Sequence, residues 1–268
     1  MAQSSCERLD NLLVHRGYAA SLHHARSLIM AGQVVVGDHL VDKPGTPVPV
    51  TAPIRIKHPS APYVGRGGMK LELPIAVFNV PVKGIVALDV GASTGGFTDC
   101  LLQHGARLVY AVDVGYGQLA WKLQTNPRVV RYDRTNIYDL SPNEFDPRPE
   151  LAVIDASFTS LTRLLPHVLC LTAPSAHVVC LVKPQFELPS QAVPVGGIVR
   201  DKNRYQEVMQ EVVHLLARLG MLIVGIIESP LPGRKGNREF FIYATTADSS
   251  EPCPSSVHER HCIIPPAE

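Results

Sequence analysis

The chain lacks any apolar run near the 18 residues that a membrane-spanning helix needs. Its longest run, Leu219 to Ile227, holds two glycines and reads as a buried strand. The first eight residues carry no apolar signal core, so a cytoplasmic protein is expected. Charge of one sign is also missing: Lys+Arg 25 against Asp+Glu 24 gives +1, which announces no polyanion partner through the global field. There is no C-x-x-C pair. The cysteines at 6, 100, 170, 180, 253 and 262 are scattered and read as reduced thiols. Cys253, His258, His261 and Cys262 lie close together, but among Ser and Pro the stretch 247–268 reads as a disordered tail, and no metal is assigned. No internal repeat is present. What is present is 46% hydrophobic residues, enough for a sizeable core.

Residues 1–60 read as a small α+β domain. Leu9, Leu12 and Leu13 share one helix face, and Ala25, Leu28 and Ile29 share another. Ser21 is placed to cap the second helix, and Gly32 to end it. Val34–Val36, the Gly37-Asp38 turn and His39–Val41 then read as a hairpin. A proline-rich joint follows (His58 to Pro62), then Gly65-Arg66-Gly67-Gly68, a flexible basic strip before a helix opening at Met69. Residues 61–83 are taken as a linker plus this helix. Over residues 1–72, eight Lys/Arg stand against five Asp/Glu, a mild excess that fits a solvated face as well as a phosphate-binding patch.

From 84 to 246 short apolar runs alternate with helical stretches. The runs are Ile85–Val90, Leu108–Val114, Leu151–Asp155 and His177–Lys183, with a further strand ending at Asp133. A long helix (Asn203–Leu219) and strands Met221–Glu228 and Glu239–Thr245 complete the set. The expectation is a Rossmann-like α/β domain with a mostly parallel seven-stranded sheet, covered on both faces and binding ligands at the strand tips.

The turn after the first strand reads Asp89-Val90-Gly91-Ala92-Ser93-Thr94-Gly95-Gly96-Phe97. A P-loop requires G-K-[ST], which is absent. A dinucleotide fingerprint requires glycine where Ser93 stands. A nucleophile elbow, G-x-S-x-G, fits Gly91 to Gly95 literally, although no HGGG-type loop precedes it. A nucleoside donor explains more residues. Asp89 can meet a charged amino-acid moiety, and the glycines let backbone approach a ligand. Asp113 can take both ribose hydroxyls. Asp133, followed by Arg134-Thr135-Asn136, can hold an adenine amine. Those stations suit S-adenosylmethionine. Asp155 and Lys183 end almost wholly apolar strands, which is costly for a purely structural charge. Lys70 follows the glycine strip and Glu239 opens the last strand, so two cations and two anions can gather in one crevice.

The glycine turn, Asp155-Ala156-Ser157-Phe158, Val182-Lys183-Pro184-Gln185-Phe186-Glu187 and Gly236-Asn237-Arg238-Glu239-Phe240 closely resemble the TlyA (haemolysin A) family of FtsJ-like ribose 2′-O-methyltransferases. The front part, with Arg8-Leu9-Asp10 and Ala25-Arg26-Ser27-Leu28-Ile29-Met30-Ala31-Gly32-Gln33-Val34, resembles the ribosomal-S-four RNA-binding domain. It departs from that pattern at Leu22, where arginine is usual after serine, and at Gly37-Asp38, where Asn-Gly is usual. The resemblance implies transfer of a methyl group from S-adenosylmethionine to the 2′-hydroxyl of cytidines in ribosomal RNA of both subunits. It implies Lys70, Asp155, Lys183 and Glu239 as the catalytic set, with Lys183 as base. That role is demanding, since lysine titrates near about 10.4 and a base at neutral pH needs about 7–8. Arg8, Arg16, Arg26 and Arg66 are the expected RNA contacts, with Arg200, Lys202, Arg204, Arg234, Lys235 and Arg238 as further loop cations. Three rivals remain: a Ser93 hydrolase, a non-catalytic RNA-binding protein, and a membrane-active haemolysin.

Overall fold

The structure, a computed structural model, describes residues 5–19, 21–30, 32–56, 62–194, 196–233 and 235–246. The expected disordered tail, with its Cys/His group, most of the proline-rich joint and Arg234 lie outside the described residues. The chain forms two compact units that divide between Pro62 and Tyr63.

The first unit runs β1 (Cys6–Arg8), α1 (Leu9–His15), α2 (Leu22–Met30), β2 (Val34–Val36), β3 (His39–Val41), β4 (Pro47–Pro49) and β5 (Ile54–Ile56). Ser21 Oγ accepts the His24 backbone N–H at 3.2 Å and so caps α2. Val36 pairs with His39, leaving Gly37-Asp38 as a two-residue turn, with Gly37 at φ +61°. β5 flanks β2 on its other side, and β1 pairs antiparallel with β4. Leu9, Leu13, Ala25, Ile29 and Val34 bury their side chains completely in one core. The three-residue strands β1, β4 and β5 have no periodic pattern long enough to find in sequence.

The second unit opens with α3 (Arg66–Phe78). Its start corrects two expectations: the helix begins at Arg66 rather than Met69, and Gly65–Gly68 is a packed helix entry rather than a flexible strip. A Cβ on Gly96 would lie 2.9 Å from Gly68 N, so these glycines let two helix starts meet. There follow β6 (Val86–Val90), α4 (Gly96–Gln103), β7 (Leu108–Asp113), α5 (Trp121–Gln124), β8 (Val129–Asp133), β9 (Leu151–Ile154), α6 (Leu161–Leu171), β10 (His177–Val182), α7 (Pro184–Glu187), α8 (Lys202–Arg218), β11 (Met221–Glu228) and β12 (Phe240–Thr246). α5 is a single turn.

These seven strands form one sheet in the order β11-β12-β10-β9-β6-β7-β8. β6 pairs parallel with both β7 and β9, so the connections leave it in opposite directions and open a crevice at its tip. β12 alone runs opposite to the other six strands, pairing antiparallel with β10 and β11. Alternation splits each strand between two cores. Val86, Leu88 and Val90 face α6 and α8, whereas Ala87 faces the α3 and α4 side.

Candidate active site

β6 ends in a turn that only small residues fit. Gly91 has φ +86°, and a Cβ there would lie 2.9 Å from the Asp155 carbonyl oxygen. Ser93 is itself left-handed, at φ +48°, and its N–H donates to Asp113 Oδ2 at 2.8 Å. Asp113, at the end of β7, also accepts the Gly115 N–H on Oδ1 at 2.7 Å. Its carboxylate thereby ties two loops together, and each oxygen keeps one lone pair free for a ligand.

The turn borders two neighbouring cavities. The larger has a volume of 850 Å³ and is lined by Gly91, Ser93, Asp113 and Asn136, among others. The smaller, of 310 Å³, is lined by Ala92, Thr94, Gly96, Phe97 and Arg66. Lys70, Gly91, Ser93 and Asp155 line both.

Three expected ligand contacts sit elsewhere. Asp89 is completely buried and lines neither cavity. Strand alternation turns it under α4, where Thr98 Oγ1 donates to its Oδ2 at 2.6 Å. Burial pushes its carboxyl up to about 7, with the charges of Asp155 and Asp113 adding to the effect. Asp133 also misses the cavities and lies 3.7 Å from Arg131. Arg134 turns the chain at φ +53°, so it is Thr135 and Asn136 that reach the larger cavity. Gly95 touches neither cavity; at φ +92°, its Cβ position lies 2.3 Å from Leu123, so it serves the packing of the turn.

The four charged residues do come together, as two ion pairs. Lys70 Nζ donates to Glu239 Oε2 at 2.6 Å, with both side chains buried. Lys183 Nζ lies 2.6 Å from Asp155 Oδ1 and donates also to the Ala156 carbonyl and Ser157 Oγ, each at 3.0 Å. All four line the larger cavity. The sheet explains the gathering. Asp155 and Lys183 directly follow parallel strands β9 and β10. β12 is antiparallel and pairs Phe240 with Val182, so Glu239 enters at the same end, opposite Lys183. Burying such charges is expensive unless they are paired, as they are here.

Two aromatic residues went unassigned in the sequence, although both stand in the quoted motifs beside charged strand tips. Phe158 is 91% exposed with φ +64°, a conformation unusual for a bulky side chain. Its ring lies 5.1 Å from that of Phe186, and both line the larger cavity.

The Ser93 hydroxyl meets Gln118 Oε1 at 3.3 Å rather than a histidine, so the elbow lacks the base that a hydrolase needs. In the first unit, Arg8 and Arg26 converge on one buried carboxylate: Arg8 holds both oxygens of Asp10 (3.0 and 2.8 Å) and Arg26 Nε one of them (3.1 Å). Each of the two side chains stays about half exposed. Arg16 donates to the carbonyls of Ala52 and Val50. Arg66 donates to the Pro232 carbonyl at 3.1 Å. Of the loop cations, Arg238 holds Glu228 and Arg204 holds Glu207.

A mostly parallel seven-stranded sheet, with a glycine turn after its central strand and paired charges at the strand tips, defines a Rossmann-like class I methyltransferase. Residues 63–246 match the FtsJ-like methyltransferase family model and residues 7–54 match the S4 domain model. The chain belongs to the FtsJ-like methyltransferase family and carries an S4 domain in front. It is 42% identical over 240 residues to the 16S/23S rRNA (cytidine-2′-O)-methyltransferase TlyA of Mycobacterium tuberculosis, covering 89% of this chain and 90% of that one. It is 37% identical to Hemolysin A of Brachyspira hyodysenteriae, covering 88% and 98%. A solved structure of a protein described as a hemolysin, from Streptococcus thermophilus, matches 98% of this chain and 93% of its own at 37% identity, with a TM-score of 0.69. Among the described residues no helix is long and apolar enough to cross a membrane.

Proposed function

We propose that this protein is a ribosomal RNA ribose 2′-O-methyltransferase that uses S-adenosylmethionine to methylate cytidines of small- and large-subunit rRNA. The observation that carries the reading is the pair of ion pairs, Lys70–Glu239 and Lys183–Asp155, within one 850 Å³ cavity beside the glycine turn. The similarity to an enzyme named for this reaction supports it.

The residues present fit the donor. The cavity falls in the size range of small-molecule sites, roughly 300–1,000 Å³. Gly91 and Gly96 line the smaller cavity, where the absence of side chains leaves their backbone open to a ligand. The free lone pairs of Asp113 suit ribose hydroxyls, Asn136 an adenine edge, and the backbone of Gly91, Ser93 and Gly96 an amino-acid end. When bound, S-adenosylmethionine supplies an electrophilic methyl on a sulfonium.

The chain's own work is alignment and proton handling. Lys183 Nζ takes the proton from the ribose 2′-hydroxyl. It must first release one of its own, and Asp155 Oδ1 at 2.6 Å is placed to receive that proton. Glu239 and Lys70 close the other side of the cavity and hold the sugar oxygen on line with the methyl carbon. The rings of Phe158 and Phe186 give an extruded base a surface to stack on. Arg8 and Arg26, oriented by Asp10, with Arg16, contact rRNA phosphates from the S4 domain, and Arg66 does so beside the cavity. The substrate places the protein with ribosomal subunits in the cytoplasm.

The test is mass mapping of rRNA fragments from cells with and without the protein. Loss of a +14 Da ribose mark on specific cytidines is expected, roughly one methylene in mass. Identical maps would overturn the reading.

A further inference from the structure

Among the described residues two buried side-chain oxygens have no hydrogen-bond partner: Asp89 Oδ1 and Gln185 Oε1. Asp89 lies beneath the glycine turn. Gln185 lines the larger cavity, on α7, two residues after Lys183 and beside Phe186. The missing partner is a donor, because the unpaired atom is a carbonyl oxygen. Leaving such an atom without one costs roughly 1–3 kcal/mol, so a bound group that brings a donor recovers that cost.

Resting on the methyltransferase reading above, we infer that Gln185 reads the edge of the target base, its Oε1 accepting from the exocyclic amine of cytosine. Beside it, Nε2 can donate to the ring N3 of cytosine, which accepts. Uracil presents a carbonyl oxygen where cytosine has its amine. To suit uracil the amide must be turned over. With the amide held as it stands, uracil sets a carbonyl oxygen against Oε1 and an N–H against Nε2, two repulsive contacts. Gln185 is thus a specificity residue, distinct from the charged set that handles the proton.

The experiment uses ribosomal subunits from cells lacking the protein, with the mapped target cytidine kept or replaced by uridine. The full-length wild type, Gln185→Leu and Gln185→Glu are compared by methyl-transfer rate, and S-adenosylmethionine affinity reports folding. Wild type is expected to prefer cytidine. Gln185→Leu is expected to narrow the cytidine-to-uridine rate ratio by roughly tenfold, as an unpaired buried group implies. Gln185→Glu has no donor for N3 and can accept from the uracil N3–H instead, so it is also expected to narrow the ratio. An unchanged ratio in Gln185→Leu, or a wild type without preference, overturns the inference while leaving the methyltransferase reading intact. If the leucine variant does not fold, an unchanged ratio in Gln185→Glu overturns it instead. No transfer to either substrate by wild type sinks the methyltransferase reading itself.

Discussion

Lys70 and Glu239 stand 169 residues apart in the chain and 2.6 Å apart in space. They tie α3 to the head of β12 through a buried ion pair. Removing one partner strands the other charge, at a cost of roughly 3–5 kcal/mol. Glu239→Gln should therefore lower both thermal stability and methyl transfer. The double variant Lys70→Met/Glu239→Leu should regain stability, since an apolar pair of similar volume avoids the desolvation cost. It should not regain activity. Melting curves read beside turnover check this; recovery of turnover in the double variant would remove the pair from the chemistry.

Lys183 contacts four oxygens from three residues. Lys183→Ala is expected to cut turnover by roughly 10²–10⁴, the range for loss of a general base. S-adenosylmethionine affinity should change little, because the glycine turn, Asp113 and Asn136 are untouched. Isothermal titration and single-turnover transfer separate the two effects.

Asp89 holds its proton up to about pH 7 in the fold, whereas an unfolded aspartate releases it near about 3.9. Between these values the folded state binds a proton that the unfolded chain has lost. Stability from this group is therefore present at acid pH, declines as pH rises through that window, and is level above it. Asp89→Asn is neutral and close in shape, and it should flatten that decline. The readout is denaturant midpoint against pH from 4 to 8. A variant with the wild-type slope would show that Asp89 titrates normally.

Asp10 is buried and holds the guanidinium groups of Arg8 and Arg26. The Arg8 guanidinium, more than any other group, keeps its carboxyl below the usual carboxylate range. Asp10→Asn removes a negative charge, which by long-range electrostatics alone would strengthen RNA binding. The expected result is the reverse, a several-fold loss in rRNA affinity, because the two arginines lose their shared anchor. Filter binding at fixed salt decides between orientation and charge.

Much of the sheet was legible because buried parallel strands are short apolar runs and their tips carry charge. Leu151–Ile154 followed by Asp155, and His177–Val182 followed by Lys183, need no tertiary information. The glycine turn was legible for the same kind of reason, since left-handed backbone at Gly91 and Gly95 leaves few alternatives to glycine. The fate of Asp89 was not. A carboxylate near a strand end can point to either face, and only the packing of α4 on β6 shows that it points beneath the turn. Asp133 failed likewise, because one left-handed residue, Arg134, hands the cavity to Thr135 and Asn136.

The order of residues along the chain determined the strands, the turn and which charges stand at their tips, because these follow from local periodicity and backbone sterics. Tertiary structure alone decided the partners. Lys183 finds Asp155 because parallel β10 lies beside β9, and Lys70 finds Glu239 only because antiparallel β12 brings the residue before it to the end of the sheet where the parallel strands finish. Pairing between distant charges is set by that register, which no local pattern records.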